Sequence, residues 1–91
     1  MEHQVDIKEL YVIVRNSDKI LYEGVAAAIT SYNEKGKFDI IPMHTNFISI
    51  VMDKVVIHEK DGKEAEISCD HGVLKVYMNH VNVFLGVDSL T

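Results

Sequence analysis

Five histidines and one cysteine are the side chains of this 91-residue sequence best suited to metal or nucleophilic chemistry. They are His3, His44, His58, His71, His80 and Cys69. A zinc centre needs three or four ligands converging at ~2.0–2.3 Å, commonly drawn from closely spaced pairs. The sequence has no H-x-H and no C-x-x-C. Cys69 and His71 stand two apart and could share one face of a strand, but no third ligand is indicated. A nucleophilic thiol would need exposure and an adjacent base. Cys69 instead falls in alternation with Ala65 and Ile67, the setting of a buried structural thiol. Gly36 and Gly72 build no G-x-G-x-x-G phosphate loop. The acids of residues 59–66 are interspersed with Lys60 and Lys63 and read as a solvated hairpin, and His58 and His80 read as polar-face or turn residues. No catalytic residue, metal or cofactor is expected, and the chain does not read as an enzyme.

The elements that position these residues have a period of two. Leu10, Val12 and Val14 alternate with Tyr11, Ile13 and Arg15, and because both sets are mostly apolar the strand is expected to be buried on both sides. Asn16-Ser17-Asp18 favours a turn. A strand over residues 19–22 leads through Gly24 into a longer run over 25–32. The alanines at 26–28 favour helix, but the β-branched Val25, Ile29 and Thr30 beside them favour strand. After Asn33-Glu34-Lys35-Gly36, a short strand over residues 38–41 is stopped by Pro42, which lacks a ladder donor. Residues 54–59 and 64–69 form a hairpin about Lys60-Asp61-Gly62-Lys63, for which Asp-Gly predicts a type I′ turn. In the return strand Ala65, Ile67 and Cys69 oppose Glu64, Glu66 and Ser68, the alternation of a half-buried strand. Residues 72–77 and 81–87 form a second hairpin turning near Met78-Asn79-His80, with Val81, Val83, Leu85 and Val87 on one apolar face. The pattern predicts an all-β, two-sheet antiparallel β-sandwich of about eight to ten short strands. Residues 1–9 are expected to be an N-terminal leader and residues 10–91 the sandwich.

Composition narrows the partners. Fourteen acidic residues against nine basic give a net charge of −5, which argues against sequence-independent binding to nucleic acid or to an anionic membrane surface. The longest apolar run, residues 25–29, falls far short of the ~20 residues of a spanning helix. Residues 1–9 lack the basic start and apolar stretch of a signal peptide, so a cytoplasmic location without direct membrane insertion is expected.

One stretch carries a spaced pattern: Leu21-Tyr22-x-Gly24, then Ile29, then Gly36-x-Phe38-x-Ile40-Ile41-Pro42-x-His44. It resembles the N-terminal β-sandwich of the epsilon subunit of rotary ATP synthases, called delta in mitochondria, which reads L-[FY]-x-G and then G-E-F-G-I-L-P-G-H-A-P-L. Downstream, Lys60-Asp61-Gly62-Lys63 is similar to that family's charged hairpin. Asp70-His71-Gly72-Val73-Leu74-Lys75-Val76 and His80-Val81-Asn82-Val83-Phe84 are similar to its S-G-G-F-x-E-V segment and the K-V-T-V-L strand that follows. The resemblance covers residues 10–89. Lys37 stands where the family has an acid, Asp39 and Met43 where it has glycines, Thr45-Asn46 where it has Ala-Pro, and His71 where it has the first glycine of a pair. The family's C-terminal helical hairpin has no counterpart here, so the inhibition and nucleotide binding associated with it are not expected.

The resemblance implies a non-catalytic central-stalk subunit that couples the gamma subunit to the membrane c-ring during proton-driven ATP synthesis. It implies a peripheral position on the cytoplasmic face of the membrane, held through the complex. The partner-contact residues it points to are Gly36, Lys37, Phe38, Pro42, Met43 and His44, in a segment reaching Phe47 at one end of the sandwich. Phe38 serves either this contact or the core, and Met43 and Phe47 are contacts if exposed and core residues otherwise. The departures from the family pattern support an alternative: a small β-sandwich binding module, for a protein or a soluble ligand, that has lost the stalk role and stays in the cytoplasm.

Overall fold

The computed structural model describes residues 7–86. Seven strands run through them: β1 Leu10–Arg15, β2 Ile20–Ala26, β3 Ala28–Asn33, β4 Gly36–Ile40, β5 Phe47–His58, β6 Glu64–Tyr77 and β7 His80–Leu85. They are hydrogen-bonded in the order β2-β1-β7-β6-β5-β3-β4. Strand, not helix, holds the alanine run, as the β-branched neighbours require. The run is broken at Ala27 rather than at Gly24. The Ala27 N–H leaves the ladder of β2 and donates to the His58 carbonyl at 2.8 Å, which starts β3 alongside β5.

Fewer and longer strands appear than the short-strand pattern suggested, because β5 and β6 each serve both layers. Residues 47–51 of β5 pair with residues 72–76 of β6, and residues 53–58 pair with residues 64–69. The register shifts between Val51 and Asp53, where Asp53 has φ of 75°. Such a bulge bends a strand and increases its twist. Beyond it, β6 pairs with β7, whereas on the other side β5 pairs with β3. The first layer is therefore β2, β1, β7 and the adjoining halves of β6 and β5. The second is β4, β3 and the remaining halves of β5 and β6. Gly72 lies at the crossing. A Cβ there would sit 2.3 Å from the Phe84 carbonyl oxygen and 2.9 Å from the Leu85 side chain, so only glycine lets β6 lie this close to β7.

One strand pair departs from the antiparallel expectation. β1 and β7 lie side by side in parallel, from Tyr11↔His80 to Arg15↔Phe84. Nearly the whole chain separates these strands, and that length removes the constraint that forces hairpin neighbours to run antiparallel.

The two loops differ from expectation as well. Asp61-Gly62 does not form a type I′ turn. The Glu59 N–H bonds the Lys63 carbonyl, the Gly62 N–H bonds the Glu59 carbonyl, and only Gly62 takes a positive φ, 94°. This is a three-residue loop with glycine in the left-handed position. The type I′ geometry is instead at Met78 and Asn79, with φ of 50° and 64°, between the paired Tyr77 and His80.

The core lies between the layers. Leu10, Val12, Val14, Leu74, Val76, Val81, Val83 and Leu85 come from the first layer, and Ile29, Ile40, Val55 and Ile57 from the second. β1 is buried on this side only. Tyr11 and Ile13 are half-buried and Arg15 is exposed on the other, so the expected double burial does not occur within this chain. Ala65, Ile67 and Cys69 face inward from the half-buried part of β6, as their alternation predicts. Val87, Ser89 and residues 1–6 of the expected leader lie outside the described residues.

Candidate protein-interaction surfaces

The outward positions of the first layer follow from its register. Ile50 of β5 lies opposite Val73 of β6, Val73 opposite Phe84 of β7, Phe84 beside Arg15 of β1, and Arg15 opposite Ile20 of β2. One row thus crosses five strands with apolar side chains at every step but one. At that step the Arg15 guanidinium lies over the Phe84 ring, 5.5 Å from its centre. A second row runs Ile48, Lys75, Asn82, Ile13, Glu23, and a third runs Tyr77, His80, Tyr11, Val25. Ile48 is 67% exposed and Phe84 47%. The Tyr11 and His80 rings meet edge to face at 6.2 Å. The Tyr11 hydroxyl donates to the Glu23 carboxylate, and that bond, ahead of burial, raises its pKa above 10.0. Contiguous exposed apolar area of this kind marks interaction sites on soluble domains.

The second layer presents a different outer face. Thr30 Oγ1 donates to Asp39 Oδ1 at 2.6 Å and lies 2.8 Å from His58 Nε2. His58 Nδ1 lies 2.9 Å from Glu64 Oε2, and Lys54 pairs with Glu66 at 3.7 Å. This chain of contacts links β4, β3, β5 and β6 in turn. These six polar side chains pair within the face.

The sequence-predicted contact residues divide into two groups along β4. Gly36, with φ of 118°, and Lys37 lie exposed at its start, beside the turn from β3. Pro42, Met43 and His44 follow its end, roughly 15–20 Å away by strand rise. The two groups lie at opposite ends of β4, and the Phe47 ring contacts both Phe38 and His44. Phe38 is a core side chain: it packs on the core from the inner face of β4, and its ring meets Phe47 edge to face at 5.5 Å. Phe47 is half-buried against the same core.

Residues 41–44 form a β-turn closed by the His44 N–H on the Ile41 carbonyl at 3.2 Å. Pro42 occupies the second position, which its locked φ suits, and Met43 the third with φ of 71°. That is a type II turn, whose third position favours glycine. His44 Nδ1–H donates to the Thr45 carbonyl at 2.8 Å, and its ring packs edge to face on Phe47 at 5.4 Å. The Met43 N–H donates to Asn79 Oδ1 at 2.7 Å, across 36 residues of sequence. Asn79 had no place in the sequence reading beyond its turn, because its partners are remote. The apolar face was also missed as a site, although Tyr11, Ile13, Val73 and Phe84 all sit at outward parity.

The chemical candidates stay apart. Cys69 is half-buried against the core. Burial pushes its thiol pKa upward, with the charges of Asp53 and Asp70 adding to the effect, which disfavours the thiolate a nucleophile needs. His71 is exposed at the bend, and its carbonyl accepts the Gly86 N–H. Among the described residues no three His, Cys, Asp or Glu side chains are grouped to hold a metal ion.

Fold and surface together define a class: an all-β sandwich whose layers share continuous strands and whose one outer face is apolar. The chain belongs to the family described as ATP synthase, Delta/Epsilon chain, beta-sandwich domain, which it matches over residues 9–86. Its backbone is similar to a chain in the structure of the Euglena gracilis mitochondrial ATP synthase, OSCP/F1/c-ring in rotational state 1. That likeness has a TM-score of 0.81 at 14% identity, covering 93% of this chain and 54% of that one. It is also similar to a chain of the Tetrahymena thermophila mitochondrial ATP synthase central stalk/c-ring, with a TM-score of 0.68 at 12% identity, covering 96% of this chain and 77% of that one. The present chain thus spans about half the length of the Euglena chain. No curated protein matches it in sequence.

Proposed function

We propose that the chain is a non-catalytic central-stalk subunit of a rotary ATP synthase, coupling the gamma subunit to the c-ring during proton-driven ATP synthesis. The observation that carries this reading is the apolar row Ile50, Val73, Phe84, Ile20 on the outer face of the first layer, in a domain of this family. Gamma covers that face. The turn at Pro42, Met43 and His44 reaches the polar loops of the ring, and Gly36 and Lys37 form a separate, smaller contact at the other end of β4. The mechanism is mechanical. Two layers joined through β5 and β6 resist shear, so torque passes between ring and stalk without bond chemistry. Lys37 stands where the resembled family carries an acid, so its partner loop carries a compensating acid. An exposed pair of this kind is worth at most about 1 kcal/mol and tunes partner choice more than affinity.

No helix among the described residues is long and apolar enough to cross a membrane. In this reading the subunit sits peripherally, on the cytoplasmic face of the membrane, held through the complex. The family match over residues 9–86 supports reading that stretch as the working sandwich. The test is purification of the tagged chain from detergent-solubilised membranes of its source. Gamma and c subunits in stoichiometric amounts are the expected result. A chain recovered without either subunit, at a native expression level, would overturn the proposal.

A further inference from the structure

Asn79 is buried to 8% exposure in the two-residue loop between β6 and β7, and it is bonded in three directions. Its side-chain Oδ1 accepts the Met43 N–H at 2.7 Å. Its Nδ2 donates to the Ile7 carbonyl at 3.3 Å. Its main-chain carbonyl accepts the Tyr11 N–H at 2.9 Å. The approach to β1, β1 itself and the turn after β4 therefore meet at one side chain and its peptide. Those tied segments and the loop itself carry Ile7, Met43 and Met78, which are 65%, 70% and 68% exposed. Packing alone gives no reason for a buried amide here, since a buried polar group is favourable only when its bonds are made.

The amide is chemically particular. Asparagine tolerates the left-handed conformation that Asn79 adopts. It also offers an acceptor to Met43 and a donor to Ile7 at once. Aspartate keeps the acceptor and loses the donor. Glycine keeps the backbone conformation and loses both. Met43 itself takes a φ of 71° in a position that favours glycine, so its turn has a local reason to leave this conformation if nothing holds it.

We propose that Asn79 is the positioning residue of the turn over residues 41–44. It fixes the Met43 peptide and thereby the direction in which Met43 and His44 are presented to the partner. The proposal rests on the reading of that turn as a contact with the rotor. It assigns to the β6–β7 loop a part in partner recognition that does not require Asn79 to touch the partner.

The test uses the full chain with Asn79→Gly and Asn79→Asp. Two quantities are read: amide hydrogen exchange by NMR, and binding to ATP synthase assemblies stripped of this subunit. Loss of one hydrogen bond changes a local opening equilibrium by up to about tenfold. In Asn79→Gly the Met43 amide should therefore exchange about tenfold faster, while the Val83 and Leu74 amides keep their rates, and binding should weaken severalfold. In Asn79→Asp the Met43 amide should stay protected and binding should stay close to the parent. Unchanged Met43 exchange in Asn79→Gly overturns the proposal. Exchange rising alike at Met43, Leu74 and Val83 also overturns it, because that is loss of fold and not of position. A released Met43 amide with unchanged binding upholds the positioning of the turn and overturns the reading of the turn as a contact.

Discussion

The outer faces of the two layers share strands, since β5 and β6 run through both, yet they are finished in opposite ways. On the second layer a connected set of polar side chains pairs within the face: Thr30 with Asp39 and His58, His58 with Glu64, and Lys54 with Glu66. Covering that face would strip water from groups that are already paired and would return little. On the first layer Ile48, Ile50, Val73, Tyr77 and Phe84 stand exposed in adjoining rows. Covering that face removes apolar surface from water and is favourable at roughly 25 cal/mol per Å². The same backbone geometry thus presents one face complete in itself and one that gains by being covered. The choice is made by the parity of side chains along β5, β6 and β7, not by the fold.

The most disruptive change removes the distinction between layers altogether. Gly72→Ala places a methyl 2.3 Å from the Phe84 carbonyl, at the point where β6 passes between layers. It should lower unfolding stability by on the order of 3 kcal/mol, the upper part of the range for overpacking, as read by denaturant titration. Next comes a change that spoils one face and leaves the fold alone. Phe84→Glu should weaken binding to assemblies that lack the subunit by about 30- to 100-fold, the scale of an interface anchor, with little change in melting temperature. Glu66→Ala on the opposite face should change binding less than about twofold. If the two variants bind alike, the contrast between faces has no functional meaning.

Smaller effects sharpen the comparison. Thr30→Val keeps the shape of the side chain but removes the hydroxyl that joins Asp39 to His58. It should lower stability by about 1 kcal/mol, because Asp39 is exposed and regains water, and it should leave binding unchanged. Tyr22 bridges the layers: it packs against the core from β2, and its hydroxyl donates to Glu59, just past the end of β5, at 2.9 Å. Burial first, then that bond, lifts its pKa from 10.0 to about 12. The folded state therefore holds a proton that the unfolded chain releases above pH 10. The corresponding stability is complete below pH 10 and is lost as pH rises toward 12. Alkaline denaturation followed by fluorescence should show this limb, and Tyr22→Phe should flatten it.

Alternation alone made β1, β7, the inward face of β6 and most of the core legible, because a two-residue period is a local property. The continuity of β6 was not legible. Asp70-His71-Gly72 has the composition of a turn, and only the approach of β7 shows that Gly72 is there for closeness. Gly24 suggests the break between strands, yet it lies within β2 and the chain turns at Ala27. Nothing about an alanine announces a corner whose cause is a bond to His58. The Pro42 stop followed from residue type, whereas the exposure of Met43 is decided only by the turn it sits in. Asn79 was not legible, because its bonds to Met43 and Ile7 span 36 and 72 residues. The apolar second face of β1 was visible in Tyr11 and Ile13. Such a pattern looks the same whether the cover comes from the chain itself or from another protein.

In the proposed complex the first layer's outer face is the covered one. Hydroxyl-radical footprinting of the subunit, free and then within the intact ATP synthase, tests it most directly, because oxidation reports side-chain exposure residue by residue. Phe84, Tyr77 and Ile48 should become severalfold less reactive on assembly, while Tyr32 and His58 on the second layer should keep their reactivity. Protection of Tyr32 and His58 with Phe84 and Ile48 still reactive would contradict it.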